Sequence, residues 1–296
     1  MTEVVSTIKH PAIAAARRSI GEAGGASGSA FLVEGRKLVS EAFAAGAAVE
    51  AVFALAPMKD PADAAVMRSA EAAGVKCWVV SRGVFFRLLG LGYETSVRVL
   101  ATVKIPFPSL AEAIESASDD APVLVGERIQ DPRNVGVLIR TADGWGVKTV
   151  ILSEGCADPY SRQSTRSSTG SIFRVRLAVG SSSSEMLQAL RARGMRTIGT
   201  SAGAGIPCWE ADLSPPCAIV VGNETSGLSQ EARALSDLLV RIPMFGGAHS
   251  FNVTVAAGIL LYEAARQREL CSASSALDAV RQGRGLVRAQ GSKAEL

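Results

Sequence analysis

The residues best placed for chemistry follow two short apolar segments in the last third of the chain, 218–221 and 238–242. Small or polar residues come directly after them: Gly222, Asn223 and Glu224 after the first, and Pro243, Ser250 and Asn252 after the second. An apolar stretch with helical spacing, 253–265, comes next. Because the carboxyl ends of parallel strands meet at one edge of a sheet, this pattern predicts a ligand site there. At Gly222 we expect the ligand to approach the backbone, where a side chain would block it.

A second group of polar residues opens a helix further upstream. Asp131 is a helix-capping residue type, and Asn134 and Gly136 follow where the backbone can approach a bound group. Arg140 comes later on the same helix. Arginine outnumbers lysine across residues 127–176, which favours bidentate phosphate contacts, although a solvated helix face explains the charge equally well.

A third loop, 199–207, follows another predicted strand. Gly203 and Gly205 lack the third glycine of a dinucleotide-binding fingerprint, so a nicotinamide-dependent oxidoreductase is disfavoured. A loop of small residues that lets an adenosine lie against the backbone and an ordinary flexible turn both fit the sequence.

The composition limits the class of protein. Of 296 residues, 48% are hydrophobic and 20% charged, as in a globular enzyme or binding protein with one or two domains. No stretch has the apolar length of a membrane span, and the N-terminus lacks the order of a signal peptide, so we expect a cytoplasmic protein with no membrane partner. Five cysteines without a CxxC pair predict free thiols. With only His10 and His249 as histidines, we expect no metal site.

Alternating short strands and helices predict an α/β fold with a parallel sheet in its C-terminal part. The early elements are strands 30–33, 49–55, 75–80 and 97–103 and helices 34–45 and 61–73. The later ones are strands 123–125, 149–152, 173–177, 196–200, 218–221 and 239–242, helices 135–144, 183–193 and 230–236, and a long final helix. The predicted parts are a small α/β domain at 1–105, a linker at 106–121, a parallel-sheet domain at 122–270 and a flexible tail at 271–296.

Three segments in order resemble the motifs of the SpoU (TrmH-like) branch of the SPOUT RNA methyltransferases: NVGVLIR (134–140), VVGNETSGLS (220–229) and RIPMFGGAHSFNVTVAAGILLYEA (241–264). FLVEGRKLVSEAF (31–43) also resembles, more weakly, the small ribosomal-protein-like RNA-binding domain that precedes many such enzymes. The resemblance implies a C-terminal SPOUT domain with a deep trefoil knot, a rare exception to unknotted folding. It also implies a homodimer.

The resemblance further implies that S-adenosylmethionine is the cofactor, held largely by backbone groups. The matching residues are Thr200, Ser201, Ala202, Gly203, Gly222, Asn223, Glu224, Ile242, Pro243, Met244, Ser250, Phe251 and Asn252. Phe251 stands where the family commonly has leucine, which changes the wall of the pocket but not a backbone contact. His249 lies next to Ser250. We interpret it primarily as a loop residue and secondarily as a candidate catalytic base.

The reaction that the resemblance implies is the transfer of a methyl group to a ribose 2′-hydroxyl of RNA. The matching residues are Arg140, Asn134, Glu224, Ser250 and Asn252. Because an arginine stays protonated, Arg140 is expected to hold the target phosphate and stabilise the developing alkoxide rather than act as an unaided base. For Asn134 and Glu224, capping and turn stabilisation are the structural alternatives.

The expected partner is structured RNA, with 23S ribosomal RNA favoured over tRNA because a separate N-terminal RNA-binding domain suits a large substrate. The predicted RNA contacts are Arg36, Lys37, Arg133, Arg140 and Arg166. Two alternatives stay open here: a surface role for these arginines and lysine, and an RNA-binding protein of the same fold that has lost activity. In some family members, methylation at a drug-binding site of ribosomal RNA confers antibiotic resistance.

Overall fold

The computed structural model describes residues 4–20, 28–90 and 96–269, which form two β-sheets with helices packed on them. The first sheet has the order β1-β4-β3-β5-β2, with β2 and β3 antiparallel to β5 and the other pairs parallel. Its elements are β1 (Val4–Val5), α1 (Pro11–Ile20), β2 (Ala30–Glu34), α2 (Arg36–Ala44), β3 (Val49–Leu55), α3 (Pro61–Ala72), β4 (Lys76–Val80), α4 (Arg82–Leu89) and β5 (Val99–Lys104). The predicted α/β character of this part of the chain is confirmed, and its separation as a domain at 1–105 stays a prediction.

The second sheet is parallel throughout the described residues and has the order β10-β12-β9-β11-β6-β7-β8. Its strands are β6 (Val123–Gly126), β7 (Thr149–Ser153), β8 (Arg176–Ser181), β9 (Arg196–Thr200), β10 (Ile206–Pro207), β11 (Cys217–Val221) and β12 (Leu238–Arg241). Its helices are α5 (Leu110–Glu115), α6 (Pro132–Gly144), α7 (Arg162–Ser168), α8 (Ser183–Ala192), α9 (Gln230–Leu235) and α10 (253–269). The predicted parallel sheet is confirmed, whereas the knot stays a prediction because strand order alone does not fix the threading.

The central strands form because their residues are apolar on both faces. Every residue of β6, β7 and β11 is buried, as expected for a parallel strand covered by helices on both sides. Polar residues follow immediately where each strand leaves the sheet, which is why the functional residues gather at one edge.

Two predictions from the sequence differ from the structure. The predicted strand 173–177 begins late: Ser171–Phe173 forms a 3-10 turn, and β8 starts at Arg176. The predicted linker 106–121 contains α5, whose Ala113 and Ile114 are buried in a core cluster of the second sheet. We therefore propose that the second structural unit begins before α5. The predicted tail, 271–296, lies outside the described residues.

One hydrophobic cluster extends across both sheets and fixes them together. The ring of Phe31 on β2 lies 5.1 Å from Tyr160 and 6.0 Å from Phe173, measured between centroids. Arg162 on α7 donates hydrogen bonds to both carboxylate oxygens of the buried Glu34, one of them at 2.9 Å. Because removing Arg162 would take this partner from the buried Glu34 carboxylate, the ion pair is expected to hold the first sheet in one orientation against the second.

Candidate active site

A cavity of about 410 Å³ opens at the carboxyl ends of β9, β11 and β12. Most of the predicted cofactor residues line it: Thr200, Ser201, Ala202, Gly222, Asn223, Glu224, Ile242, Met244, Ser250 and Phe251. Three others, Gly203, Pro243 and Asn252, are not among its lining residues. His249 also lines the cavity, together with Val253 and Ala256 of α10. The three strand-end loops that the sequence singled out therefore surround one space.

Gly222 is required for a different reason from the one that the sequence suggested. A Cβ at this position would lie 2.3 Å from both the carbonyl carbon of Gly227 and the backbone nitrogen of Leu228. The loop after β11 folds back on itself, and Asn223 and Gly227 exchange backbone hydrogen bonds of 3.1 and 2.9 Å. Close approach of the loop to its own backbone excludes a side chain here, and the approach of a ligand to Gly222 stays a prediction.

Three polar side chains from distant parts of the sequence form a hydrogen-bonded chain beside the cavity. Asn252 donates from Nδ2 to Oδ1 of Asn134 at 3.2 Å, and Asn134 donates from Nδ2 to Oε1 of Glu224 at 2.9 Å. Asn252 also caps α10, because its Oδ1 accepts a hydrogen bond of 2.8 Å from the backbone N–H of Thr254. The start of α6, the loop after β11 and the start of α10 are thereby tied together.

Glu224 is held as a carboxylate. Burial by itself raises the pKa of Glu224, but the hydrogen bond from Asn134 and those from backbone N–H groups, including Asp131 and Gln130, lower it by more. The pKa of Glu224 therefore lies below its ordinary value. At neutral pH this side chain accepts hydrogen bonds and orients Asn134, and it has no proton to donate.

The predicted start of α6 is confirmed, with a correction at Gly136. Asp131 caps the helix by accepting a hydrogen bond of 2.8 Å from the backbone N–H of Arg133. Gly136 is buried, and a Cβ there would lie 2.3 Å from the carbonyl oxygen of Ser164 and 2.6 Å from Cβ of Ser167. The glycine allows α6 to pack against α7, and does not provide access for a bound group.

Substituting Gly136 by alanine is expected to lower the free energy of unfolding by about 1–3 kcal/mol, because the added methyl group meets backbone that cannot move away cheaply. Gly144, on the same helix, is the matched control. A Cβ at Gly144 would meet nothing within 4 Å, so Gly144→Ala is expected to be neutral or to stabilise by up to about 1 kcal/mol. Urea unfolding of both variants measures the difference, and equal effects would contradict the packing role of Gly136.

Arg140 lies on the exposed face of α6, away from the hydrogen-bonded chain at the start of that helix. Within residues 4–20, 28–90 and 96–269 it has no ion-pair partner, and it is not among the residues that line the cavity. Its guanidinium is therefore available to an anion, but one chain alone does not bring it into the cofactor cavity.

The other predicted RNA contacts do not form one cluster. Arg36 pairs with Asp60 and, at 3.5 Å, with Asp63, and Arg133 donates to Asp131 at 2.7 Å. Lys37 on α2 and Arg166 on α7 are exposed, and neither has an ion-pair partner in the described part of the chain. Arg36 and Arg133 thus form ion pairs within the chain, whereas Lys37 and Arg166 are available to a binding partner.

Two further charged residues at this edge of the sheet were not recognised from the sequence. Glu127, directly after β6, is 1% exposed and accepts hydrogen bonds from Oγ of Ser183 at 2.5 Å and from N and Oγ of Ser229 at 2.9 and 2.6 Å. Arg233 on α9 lines the cavity. A charged residue that follows an apolar strand was a usable signal for Glu127, whereas Arg233 resembles any surface arginine of a short helix.

Metal-binding and membrane-spanning features are not found in the described residues. No group of three or more His, Cys, Asp or Glu in this part of the chain is arranged to hold a metal ion. None of its helices combines the length and apolar character that a membrane span needs. Cys77, Cys156, Cys208 and Cys217 are free thiols, and Cys271 lies outside the described residues.

Comparison with known proteins identifies the family. The sequence model of the SpoU rRNA Methylase family matches residues 121–262. A 23S rRNA (guanosine(2553)-2′-O)-methyltransferase of Bacillus subtilis (strain 168) is 32% identical over 232 residues, which are 78% of this chain and 87% of that protein. The chain belongs to the SpoU family. A second relative of this SpoU protein, the 23S rRNA (uridine(2479)-2′-O)-methyltransferase of Streptomyces viridochromogenes, is 38% identical over 185 residues, or 61% of this chain and 64% of the other.

Solved structures agree with this assignment. The SpoU methyltransferase AviRb from Streptomyces viridochromogenes superposes with a TM-score of 0.70 at 30% identity, over 81% of this chain and 90% of that one. An AdoMet-bound rRNA methyltransferase from Sinorhizobium meliloti gives a TM-score of 0.75 at 25% identity, over 90% of this chain and 98% of that one. The likeness covers both sheets of the SpoU protein, and the fold class predicted from the sequence is confirmed.

Proposed function

We propose that this SpoU protein transfers a methyl group from S-adenosylmethionine to a ribose 2′-hydroxyl of 23S ribosomal RNA. The observation that carries the proposal is the hydrogen-bonded chain of Asn252, Asn134 and Glu224, because each residue belongs to a different one of the three motifs and all three meet beside one cavity. Relatives named as 23S rRNA 2′-O-methyltransferases in Bacillus subtilis and Streptomyces viridochromogenes support the substrate and the reaction.

The cavity fits the cofactor. Its volume of about 410 Å³ lies within the range of about 300–1,000 Å³ that is usual for small-molecule sites. Val221, Ile242 and Val253 give it apolar walls, and the polar loop 200–202 supplies backbone groups. When bound there, S-adenosylmethionine supplies an electrophilic methyl group on a sulfonium that departs as a neutral thioether.

The residues around the cavity orient the attacking hydroxyl. Asn134 donates one N–H to Glu224 and accepts one hydrogen bond from Asn252, which fixes the orientation of its amide. One donor and one acceptor site of this amide remain for a ribose. Ser250 lines the cavity and offers a further hydroxyl. Such fixed orientation supplies a large part of the rate enhancement when two reactants are held together.

Arg140 supplies positive charge in this proposal. The 2′-hydroxyl attacks the methyl carbon as it loses its proton to an oxygen of the neighbouring phosphate, so negative charge develops on the hydroxyl oxygen in the transition state. The Arg140 guanidinium binds the neighbouring phosphate and stabilises that charge, since arginine stays protonated and presents several donors in a fixed plane.

A second copy of the chain brings Arg140 to the cavity. Apolar side chains at the end of α6 and on α10 form an exposed surface, here called the α6–α10 face: Trp145, directly after α6, is 40% exposed, and Val255 and Tyr262 on α10 are 47% and 52% exposed. The rings of Trp145 and Tyr262 are in edge contact at 5.6 Å. An apolar surface of this kind favours an isologous dimer. Arg140 is exposed on α6, five residues before Trp145 in the sequence.

The first sheet supplies the RNA-binding surface that favours a large substrate. Lys37 on α2, beside that sheet, and Arg166 on the adjoining α7 are both exposed and available to RNA. The Glu34–Arg162 ion pair holds the first sheet against α7. A rigid two-part surface suits a structured RNA that contacts both parts at once. The proposal places the protein in the cytoplasm, where ribosomal RNA is found.

Transfer of tritium from methyl-labelled S-adenosylmethionine to purified RNA tests the proposal. We expect label in protein-free 23S RNA or in large ribosomal subunits and none above background in total tRNA. Lys37→Ala with Arg166→Ala is expected to raise the KM for RNA several-fold and to leave the affinity for the cofactor unchanged. Labelling of tRNA in preference to 23S RNA would contradict the proposed substrate.

A further inference from the structure

We propose that Arg233 binds the carboxylate of the amino acid end of S-adenosylmethionine. This inference rests on the proposed function, because it concerns a contact to that cofactor. It assigns a role to a residue outside the motif positions singled out in the sequence, on a helix that follows the loop after β11.

The guanidinium of Arg233 is fixed at the wall of the cavity. Its Nε donates a hydrogen bond of 3.0 Å to the carbonyl oxygen of Leu228. One terminal nitrogen lies 3.6 Å from the point where a Cβ of Gly227 would be, so the guanidinium lies against this glycine of the loop after β11. No ion-pair partner of Arg233 exists among the described residues, which leaves its terminal N–H groups available to a ligand.

The loop's own backbone donors are already used. The Oδ1 atom of Asn223 accepts hydrogen bonds from the backbone N–H groups of Thr225 and Ser226, both at 3.0 Å. The N–H of Gly227 donates to the carbonyl oxygen of Asn223 at 2.9 Å. Three successive donors that would otherwise suit an anion are therefore satisfied within the loop, and a carboxylate at this wall needs a side chain.

Charge complementarity selects Arg233 for that task. Among the described residues that line the cavity, Arg233 is the one arginine or lysine, and Glu224 is the one carboxylate. Glu224 is already held by Asn134 and by backbone N–H groups. A partly enclosed ligand carboxylate is costly without a charged donor, and an arginine provides a bidentate one.

Calorimetric titration with two ligands tests the assignment without any catalytic turnover. S-adenosylmethionine and decarboxylated S-adenosylmethionine share the adenosine, the sulfonium and the amine, and differ in the carboxylate. Each is titrated into the wild-type protein, Arg233→Ala and Arg233→Lys. Arg193→Ala is the matched control, because Arg193 is a surface arginine that pairs with Asp119 at 3.5 Å.

We expect Arg233→Ala to weaken the binding of S-adenosylmethionine about 10-fold to 100-fold. This corresponds to a loss of about 1.4–2.8 kcal/mol of binding free energy, at 1.4 kcal/mol per factor of ten. Its affinity for the decarboxylated ligand should change by less than about threefold, so the wild-type preference for the carboxylate disappears. Arg233→Lys should lie between, since a lysine keeps the positive charge but lacks the planar fork that binds a carboxylate bidentately. Arg193→Ala should match the wild type with both ligands.

Equal weakening of both ligands by Arg233→Ala would overturn the inference, because it would show that Arg233 only supports the loop through Leu228. No weakening of either ligand would also overturn it. Failure of the wild-type protein to bind either ligand is a separate result, which would overturn the proposed cofactor itself.

Discussion

Arg140→Ala is expected to lower kcat for methyl transfer by about 10²–10³-fold, with the affinity for S-adenosylmethionine unchanged. The reason is the contact proposed for Arg140: it is exposed on α6, does not line the cavity of its own chain, and in the proposed dimer binds an RNA phosphate, so its removal takes positive charge from the transition state and no contact from the cofactor. Single-turnover methylation of RNA together with calorimetric titration of the cofactor measures the two effects separately.

Two companion variants sharpen this result. Arg140→Lys keeps the charge but loses the planar fork, so we expect it to recover only part of the lost rate. Arg193→Ala removes an arginine from an exposed ion pair that does not line the cavity and should be indistinguishable from the wild type. If Arg140→Ala methylated RNA at the wild-type rate, the role given to this residue would be wrong.

Tyr262→Asp is expected to make the protein monomeric and to remove methylation, because it places a charge in the centre of the apolar α6–α10 face. Gln188→Glu is the matched control, since it adds one negative charge on the exposed side of α8. Sedimentation velocity reports the oligomeric state of each variant. A wild-type protein that is already monomeric, or an active Tyr262→Asp monomer, would contradict the proposed dimer.

A mixing experiment decides whether Arg140 acts across the dimer. Gly222→Asp should remove cofactor binding, because its side chain would collide with Gly227 and Leu228. In a mixture of Arg140→Ala and Gly222→Asp chains, a mixed dimer has one intact cavity and one intact arginine on opposite subunits. If Arg140 acts on its neighbour's cavity, random exchange restores about a quarter of the wild-type activity. If it acts within its own chain, the mixture stays inactive.

The sequence predicted where the cavity lies better than it predicted why particular residues are needed at their positions. Apolar strands followed by polar loops predicted a ligand site at the carboxyl ends of β9, β11 and β12, and the structure has a cavity there. At Gly222 and Gly136 the sequence indicated a close approach, and the structure shows that the neighbour is the protein's own backbone. A single sequence marks a position where no side chain fits but does not identify what occupies the space.

Contacts over long separations in sequence depended on the family resemblance. Asn134 and Glu224 are 90 residues apart, and Asn134 and Asn252 are 118 apart, so no local pattern brings them together. Helix α7 was missed because its buried face is made of serine and threonine instead of apolar residues. Its Thr165 hydroxyl bonds the carbonyl oxygen of Ser161 at 3.0 Å, which satisfies a polar side chain inside the core.

The position of the transferred methyl group tests the central claim most directly. After reaction of the wild-type protein with 23S RNA and methyl-labelled S-adenosylmethionine, the RNA is digested to nucleosides and separated by liquid chromatography with mass spectrometry. We predict that the label is found in one 2′-O-methylated nucleoside, and that its initial rate of incorporation is about 10²–10³-fold lower when Arg140→Ala is used. Label on a base, or no label with an intact and cofactor-bound wild-type protein, would contradict it.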